Sequence, residues 1–231
     1  MSMRQHTSHE FESELEAVRQ RIFGMGRHVD QVLEESGRAL QERDTALGNQ
    51  IIVGDKQTDS MEMEIDHLCL EILVRRQPVA GDLRLLTSAL KLVIDLERIG
   101  DLGVSIAARV VELGHEAALT PYDDLLRMMT TAREMLREAL AALENQDPAR
   151  ASRAIDKDEV VDAYYTQIFN DVLGRMRESP DNIFRATRIQ AISKYIERIG
   201  DHATNIAERV IFILTGEDIR HVSRVRRSDL S

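Results

Sequence analysis

The sequence predicts an all-α protein built from two tandem, pseudo-symmetric three-helix bundles. Two observations lead to this fold class: a composition that favours helices, and a motif that recurs 100 residues further along the chain. Aromatic residues make up only 4% of the 231 residues, and tryptophan is absent. Leu, Ala, Glu, Arg, Ile and Met are abundant, and this set of residues favours helices over strands.

The four prolines separate long stretches of helical periodicity. Thr120-Pro121 and Asp147-Pro148 each predict a helix N-cap followed by proline at the first helical position, where no hydrogen bond is lost. A further break is expected near residues 44–49. The sequence therefore predicts six helices, at about residues 9–46, 49–75, 80–114, 122–146, 148–178 and 182–215.

The predicted helices form two similar sets of three. Glu-Arg-Ile-Gly-Asp occurs at residues 97–101 and again at residues 197–201, and further matches follow downstream without a gap. Short connections between helices favour antiparallel neighbours. We therefore expect a first bundle over residues 1–116, a second over residues 117–216 and a basic tail over residues 217–231.

The bulk properties exclude several classes of protein. A formal net charge of −10 argues against non-specific nucleic-acid binding, which requires clustered Lys and Arg. The single cysteine, Cys69, cannot form an intramolecular disulfide, and this is typical of a reducing compartment. No apolar stretch approaches the roughly 20 residues of a membrane-spanning helix. We therefore expect a cytoplasmic protein that contacts membranes only through partners.

Paired carboxylates are the candidate functional groups in this sequence. Residues four apart lie on the same side of a helix, so each of four acidic pairs forms a double carboxylate. In the third helix the core-facing stripe places Glu97 and Asp101 on the opposite side. The members of the four pairs are Asp55 with Asp59, Glu97 with Asp101, Asp158 with Asp162, and Glu197 with Asp201.

Two explanations account for how the repulsion within these pairs is offset. Arg98 and Arg198 could neutralise them locally, with water screening the remainder. Alternatively, oxygen ligands from two neighbouring helices could hold a hard cation. Gly100 and Gly200 favour the second explanation, because a repeated mid-helix glycine indicates that a neighbouring helix or a ligand comes close.

Several motifs together resemble one known family. They are the run Arg75–Arg84, the two Glu-Arg-Ile-Gly-Asp motifs, His202 and Asn205 after the second motif, and the ending at residues 216–221. The chain is similar over its whole length to the PhoU family of phosphate-signalling regulators. The resemblance implies acidic E(D)xxxD motifs that, in some members, bind iron or other metal ions.

Carried over by position, the resemblance gives a set of eight metal ligands. The metal would be Fe, Zn, Mn or Mg, and neither catalytic residues nor an organic cofactor site is implied. After Asp101 the first half reads Leu102 to Ser105, unlike the second half, so we expect a weaker metal site there. The eight ligands are Asp55, Asp59, Glu97, Asp101, Asp158, Asp162, Glu197 and Asp201.

The resemblance also implies a function and partners. The protein would be a negative regulator of the phosphate-starvation response, linking the ATPase subunit of a phosphate ABC importer to a sensor histidine kinase. A homodimer is expected, with Leu86, Leu90 and Val93 as an apolar stripe for self-association. Two other hypotheses remain: a di-metal carboxylate enzyme on a helical bundle, and a purely structural scaffold without metal. The enzyme would need inward-facing Glu-x-x-His motifs on two helices.

Overall fold

A computed structural model describes residues 2–114, 116–119 and 122–219 of the chain, with side chains from residue 9 onward. These residues contain α-helices and one short 3-10 turn but no strand, which confirms the predicted fold class. None of the helices in these ranges is both long and apolar enough to cross a bilayer.

The first half contains four α-helices: α1 (Ser2–Glu42), α2 (Thr45–Gly54), α3 (Lys56–Arg76) and α4 (Ala80–Leu113). The second half repeats this order with α5 (Asp123–Glu144), α6 (Pro148–Asp156), α7 (Asp158–Glu178) and α8 (Ile183–Thr215), and a 3-10 turn at Pro180–Asn182 precedes α8. The pairs α2–α3 and α6–α7 each take the place of one predicted helix.

The single residue that interrupts each of these pairs keeps a near-helical backbone. Asp55 has φ −49° and ψ −43°, and Lys157 has φ −71° and ψ −14°. Six long helical segments therefore remain, two of which carry a local interruption. Residues 120–121 and the predicted tail from residue 220 onward lie outside the described residues.

Aspartate caps start the short helix in each half. The Asp44 side chain accepts hydrogen bonds from the backbone N–H groups of Ala46 and Leu47, so α2 begins four residues earlier than predicted. The Asp147 side chain likewise accepts from the Arg150 N–H, with Pro148 at the start of α6 as predicted. Such caps are each worth about 1 kcal/mol.

The central helices α4 and α8 organise the core. α4 packs against α1, α2 and α3, α8 packs against α5, α6 and α7, and the two central helices pack on each other. Contacts between α1 and α5 join the halves at a second place. The core stripe that the periodicity predicts along α4 is fully or almost fully buried: Leu85, Leu92, Leu96, Ile99, Ile106 and Val110.

The apolar stripe that we expected to support self-association lies inside the chain. Leu86 and Val93 are both 0% exposed, and Leu90 is partly buried against the core. The prediction was wrong because α4 has neighbours on several sides, so a second apolar stripe is covered within the molecule. This stripe is therefore unavailable to a second copy of the chain.

The repeated glycines allow close approach of helices, as predicted. A Cβ on Gly100 would lie 3.0 Å from Thr58 Cγ2 on α3. A Cβ on Gly200 would lie 3.2 Å from Asp158 Oδ1 on α7. The helix that carries the first acidic pair of each half can therefore lie directly against the central helix that carries the second pair.

A matched pair of glycine substitutions tests this packing. In Gly48→Ala the new Cβ would meet Val111 Cγ2 at 2.8 Å and the Ala107 carbonyl oxygen at 3.3 Å. We expect a loss of about 1–3 kcal/mol in the free energy of unfolding, measured in urea. Gly174→Ala, within α7, meets nothing within 4 Å and should instead gain about 1 kcal/mol. Equal effects of the two substitutions would contradict the close approach of α2 to α4.

Candidate metal centre

Three of the predicted ligands come together in the first half. Asp59, in the first turn of α3, meets Glu97 and Asp101 from the middle of α4. One carboxylate oxygen from each of the three lies within 4.8 Å of the other two. Within the described ranges, this is the only group of three that reaches this distance. Carboxylates from two helices thus lie close together, and metal binding by them stays a prediction.

Burial and repulsion between like charges disfavour the ionised forms of the carboxylates in this cluster. Burial, reinforced by Asp101, raises the pKa of Glu97 to about 7. Burial also raises the pKa of Asp55, with Asp101 and Asp59 as further causes. Arg98 lies 3.4 Å from Glu97 and 3.7 Å from Asp101, but its side chain is 54% exposed. Exposed pairs of this kind contribute little.

The acidic surface continues along α3. Burial raises the pKa values of Glu62 and Asp66, and for Glu62 the charges of Asp66 and Asp59 add to the effect. Asp66 Oδ1 is buried without a hydrogen-bond partner. A cation would offset the burial and the like charge that disfavour the ionised forms of these carboxylates.

The matching acidic residues of the second half have a different set of charged neighbours. Burial, followed by the charge of Glu197, raises the pKa values of Asp162 and Asp201. Lys194 Nζ lies 2.7 Å from Glu197 Oε1 and 2.6 Å from its Oε2. The repeat places Ile94 at the position of Lys194 in the first half. Lys194 therefore lies closer to the second cluster than Arg98 lies to the first, although the two cationic side chains are 48% and 54% exposed.

One expectation about the second half needs correction. As a member of an outward acidic pair, Asp158 would be expected to face solvent, but it is only 4% exposed, because Gly200 leaves space for its carboxylate against α8. The sequence difference after Asp101 led us to expect the weaker metal site in the first half, whereas the closer cation, Lys194, argues for the opposite order. The order of the two sites stays a prediction. Lys194 was a signal visible in the sequence, and comparing positions 94 and 194 would have found it.

Two residues that follow the second Glu-Arg-Ile-Gly-Asp motif contact the first half of the chain. His202 Nδ1 lies 2.9 Å from Asp95 Oδ1, and Asn205 Nδ2 donates to the same oxygen at 3.3 Å. Arg209 Nε donates to Asp95 Oδ2 at 3.0 Å. Asp95 is 6% exposed on α4, so this polar group links the central helices of the two halves. Asp95 was not predicted from the sequence. The signal that could have found it is an aspartate within a buried stripe, at the position where the second repeat has Tyr195.

Glu208 also belongs to this contact between the halves. It is 7% exposed and lines a small cavity with Lys91 and Arg209 between α4 and α8. Helical periodicity predicts Glu208 on the side of α8 that bears Glu197 and Asp201, but at this point α8 turns that edge toward α4. The acidic surface of the second half is therefore shorter than the sequence indicated.

The two repeated halves match a known family. A family model described as "PhoU domain" matches residues 22–110 and again residues 125–210, together more than half of the chain. The chain belongs to the PhoU family. Its two PhoU domains coincide with the two sets of helices around α4 and α8.

Relatives with PhoU names cover almost the whole chain. A "phosphate-specific transport system accessory protein PhoU homolog" of Pseudomonas putida is 38% identical over 226 residues, covering 97% of this chain and 88% of the relative. The "phosphate-specific transport system accessory protein PhoU" of Escherichia coli (strain K12) is 33% identical over 225 residues, 96% and 92% of the two chains.

Two solved PhoU structures share the fold. The crystal structure of PhoU from Pseudomonas aeruginosa has a TM-score of 0.86 and 38% identity, covering 90% of this chain and 100% of that one. The phosphate transport system regulatory protein PhoU from Streptococcus pneumoniae has a TM-score of 0.83 and 28% identity, covering 90% and 98%. The paired-bundle arrangement is therefore the PhoU fold.

Proposed function

We propose that this chain is a non-catalytic regulator of phosphate transport that holds down the phosphate-starvation response. It would contact the ATPase subunit of a phosphate ABC importer and the sensor histidine kinase of the phosphate regulon. Both contacts would be made in the cytoplasm, so the protein would reach the membrane only through these partners. The observation that carries the proposal is the match of both halves to the PhoU domain.

A gene deletion tests the regulatory role. At high phosphate, the deletion strain should produce alkaline phosphatase or a similar starvation product that the parent strain represses. Plasmid-borne wild-type protein should restore repression. Normal repression in the deletion strain would contradict the proposal. Capture of the importer ATPase and the kinase from phosphate-replete cells, identified by mass spectrometry, tests the two partners directly.

We propose the cluster of Asp59, Glu97 and Asp101 as the principal metal site. The donor set suits a hard cation, since all three ligand atoms are carboxylate oxygens. Mn²⁺, Mg²⁺ and Fe²⁺ fit this set better than Zn²⁺, which prefers nitrogen and sulfur ligands. Asp55 borders the cluster as a further acidic group. The second-half carboxylates would form a weaker site because Lys194 competes with the metal.

A di-metal enzyme is less well supported than a regulator. Its site requires Glu-x-x-His motifs that project into the bundle core. The clustered carboxylates lie instead at the junction of α3 and α4, where Asp59 is exposed. Enclosure that excludes water is a common requirement of catalytic sites. The purely structural scaffold would leave the raised pKa of Glu97 without a role.

A homodimer through α3 is part of the proposal. Met63, Leu70 and Val74 are 71%, 54% and 81% exposed. With His67 they form an i, i+4, i+7, i+11 stripe, the spacing of a coiled-coil seam. The equivalent positions of α7, offset by 103 residues, include the polar residues Thr166 and Asn170, so the stripe belongs to the first half.

Sedimentation velocity tests the dimer. The wild-type chain should sediment as a dimer, and Leu70→Glu/Val74→Glu should shift it to a monomer with an unchanged circular dichroism spectrum. A matched control, Phe169→Glu, changes another exposed apolar residue on α7 and should leave the dimer intact. A dimer that survives the α3 substitutions would place the interface elsewhere.

A further inference from the structure

A polar cavity of about 300 Å³ lies between α1, the α2–α3 junction and α4. Cavities that bind small molecules begin at about this volume. Three glutamines line the cavity: Gln31, Gln50 and Gln57. His28 Nε2 and Asp55 Oδ1, which belong to two further lining residues, are buried and have no hydrogen-bond partner. The cavity therefore offers polar groups that the chain itself leaves unpaired.

The second half provides an internal reference for this cavity. Asp44 and Asp147 cap the corresponding short helices, so the two halves align here with an offset of 103 residues. The same offset aligns buried positions of α1 with those of α5, such as Met25 with Met128 and Leu33 with Leu136. Three lining residues then correspond as Glu35 with Glu138, Gln31 with Glu134, and Gly54 with Lys157. Leu47, on α2 but outside the lining, corresponds to Arg150.

In the second half, two cationic side chains occupy this region. Lys157 Nζ lies 2.7 Å from Glu134 Oε2. Arg150 Nε lies 2.5 Å from Glu138 Oε2, and this hydrogen bond is the main cause that lowers the pKa of Glu138. The fold thus pairs two carboxylates on the α5 face, Glu134 and Glu138, with positive charge from the α6–α7 junction and from α6.

The first half keeps one of these carboxylates but lacks both cations. Leu47 is apolar and Gly54 has no side chain, whereas the carboxyl group of Glu35 lines the cavity. Glu35 Oε1 accepts a hydrogen bond from the Gln31 amide at 3.0 Å. In the described ranges, no cationic side chain forms an ion pair with Glu35.

The nearby imidazole does not supply the missing charge. Burial lowers the pKa of His28, although the charge of Glu35 opposes that shift. Burial thus disfavours the charged imidazole, and its unpaired Nε2 offers a hydrogen-bonding site. Among its described lining residues the cavity has two carboxylates, three neutral amides and no lysine or arginine.

We propose that this cavity binds a small aliphatic ammonium compound. Its ammonium group would pair with Glu35, as the Arg150 guanidinium pairs with Glu138 in the second half. Asp55 Oδ1 and His28 Nε2 would accept the remaining hydrogen bonds of the ligand. A metal ion fits less well, because no three ligand atoms of this cavity meet the distance that the Asp59 cluster meets. The acidic net charge of −10 favours the approach of any such cation.

Isothermal titration with n-butylammonium chloride tests the proposal, at physiological ionic strength and with EDTA present to remove metals. One ligand should bind per wild-type chain, and uncharged n-butanol should not bind. Glu35→Gln should weaken binding at least about tenfold, since a hydrogen bond between charged groups is lost. Glu138→Gln and Glu97→Gln are controls that should leave the affinity unchanged.

Gly54→Lys is the second, independent variant. It introduces the lysine that the second half already has, and a Cβ at this position meets nothing within 4 Å. The tethered ammonium should abolish n-butylammonium binding and raise the melting temperature, while Glu35 is retained. Unchanged binding in either Glu35→Gln or Gly54→Lys would overturn the proposal. Loss of binding in Glu97→Gln would also overturn it, because the ligand would then occupy the acidic cluster.

Discussion

Asp95→Leu is expected to lower the free energy of unfolding by about 3 kcal/mol, measured in urea, because it leaves charged groups without their buried counter-ion. Asp95 is 6% exposed and receives Arg209, His202 and Asn205 from α8. Arg209 is itself only 20% exposed, so water cannot fully replace the lost carboxylate.

A double-mutant cycle separates the free energy of the Asp95–Arg209 ion pair from that of the packing around it. Asp95→Leu/Arg209→Met removes both charges and should recover much of the stability lost in Asp95→Leu, because apolar groups of similar size can replace an ion pair. Asp95→Asn keeps the shape and should lie between the wild type and Asp95→Leu. An Asp95→Leu variant within about 0.5 kcal/mol of the wild type, the range of ordinary surface substitutions, would contradict the role of this contact.

The fold could be predicted from the sequence because each signal was local or repeated. Apolar periodicity located the core stripe of α4, and the second copy of Glu-Arg-Ile-Gly-Asp set the symmetry of the halves. Gly100 and Gly200 even predicted where helices approach closely. The breaks at Asp55 and Lys157 escaped prediction, because a near-helical residue leaves the hydrophobic pattern unchanged.

Contacts between the halves could not be predicted in the same way. Whether an apolar stripe such as Leu86 and Val93 faces α8 or a second molecule depends on how two helices pack, and periodicity carries no information about that. The partners of Asp95 lie 107 to 114 residues away in sequence. The repeat indicates what the two halves share. The acidic clusters of the two halves differ because equivalent positions carry Ile94 in the first half and Lys194 in the second.

Removing the first acidic cluster is expected to abolish most of the stabilisation that metal provides. At a free Mn²⁺ concentration about 100 times the dissociation constant, a bound ion should raise the free energy of unfolding by about 2.7 kcal/mol. Glu97→Ala/Asp101→Ala should lose nearly all of this increment, whereas Glu197→Ala/Asp201→Ala should lose much less, because Lys194 already occupies that site. Metal content after purification without chelator should follow the same order.

The pH dependence provides a second measurement on the same residues. The folded-state pKa of Glu97 is about 7 against an ordinary 4.5, so between these values the folded state binds more protons than the unfolded state. Metal-free protein should therefore lose stability as the pH rises through this window, and Glu97→Gln should reduce that loss. Because metal binds the deprotonated carboxylate, the stabilisation by Mn²⁺ should grow over the same range. A Mn²⁺ effect independent of pH, or equal in the two double variants, would remove the first-half cluster as the principal metal site.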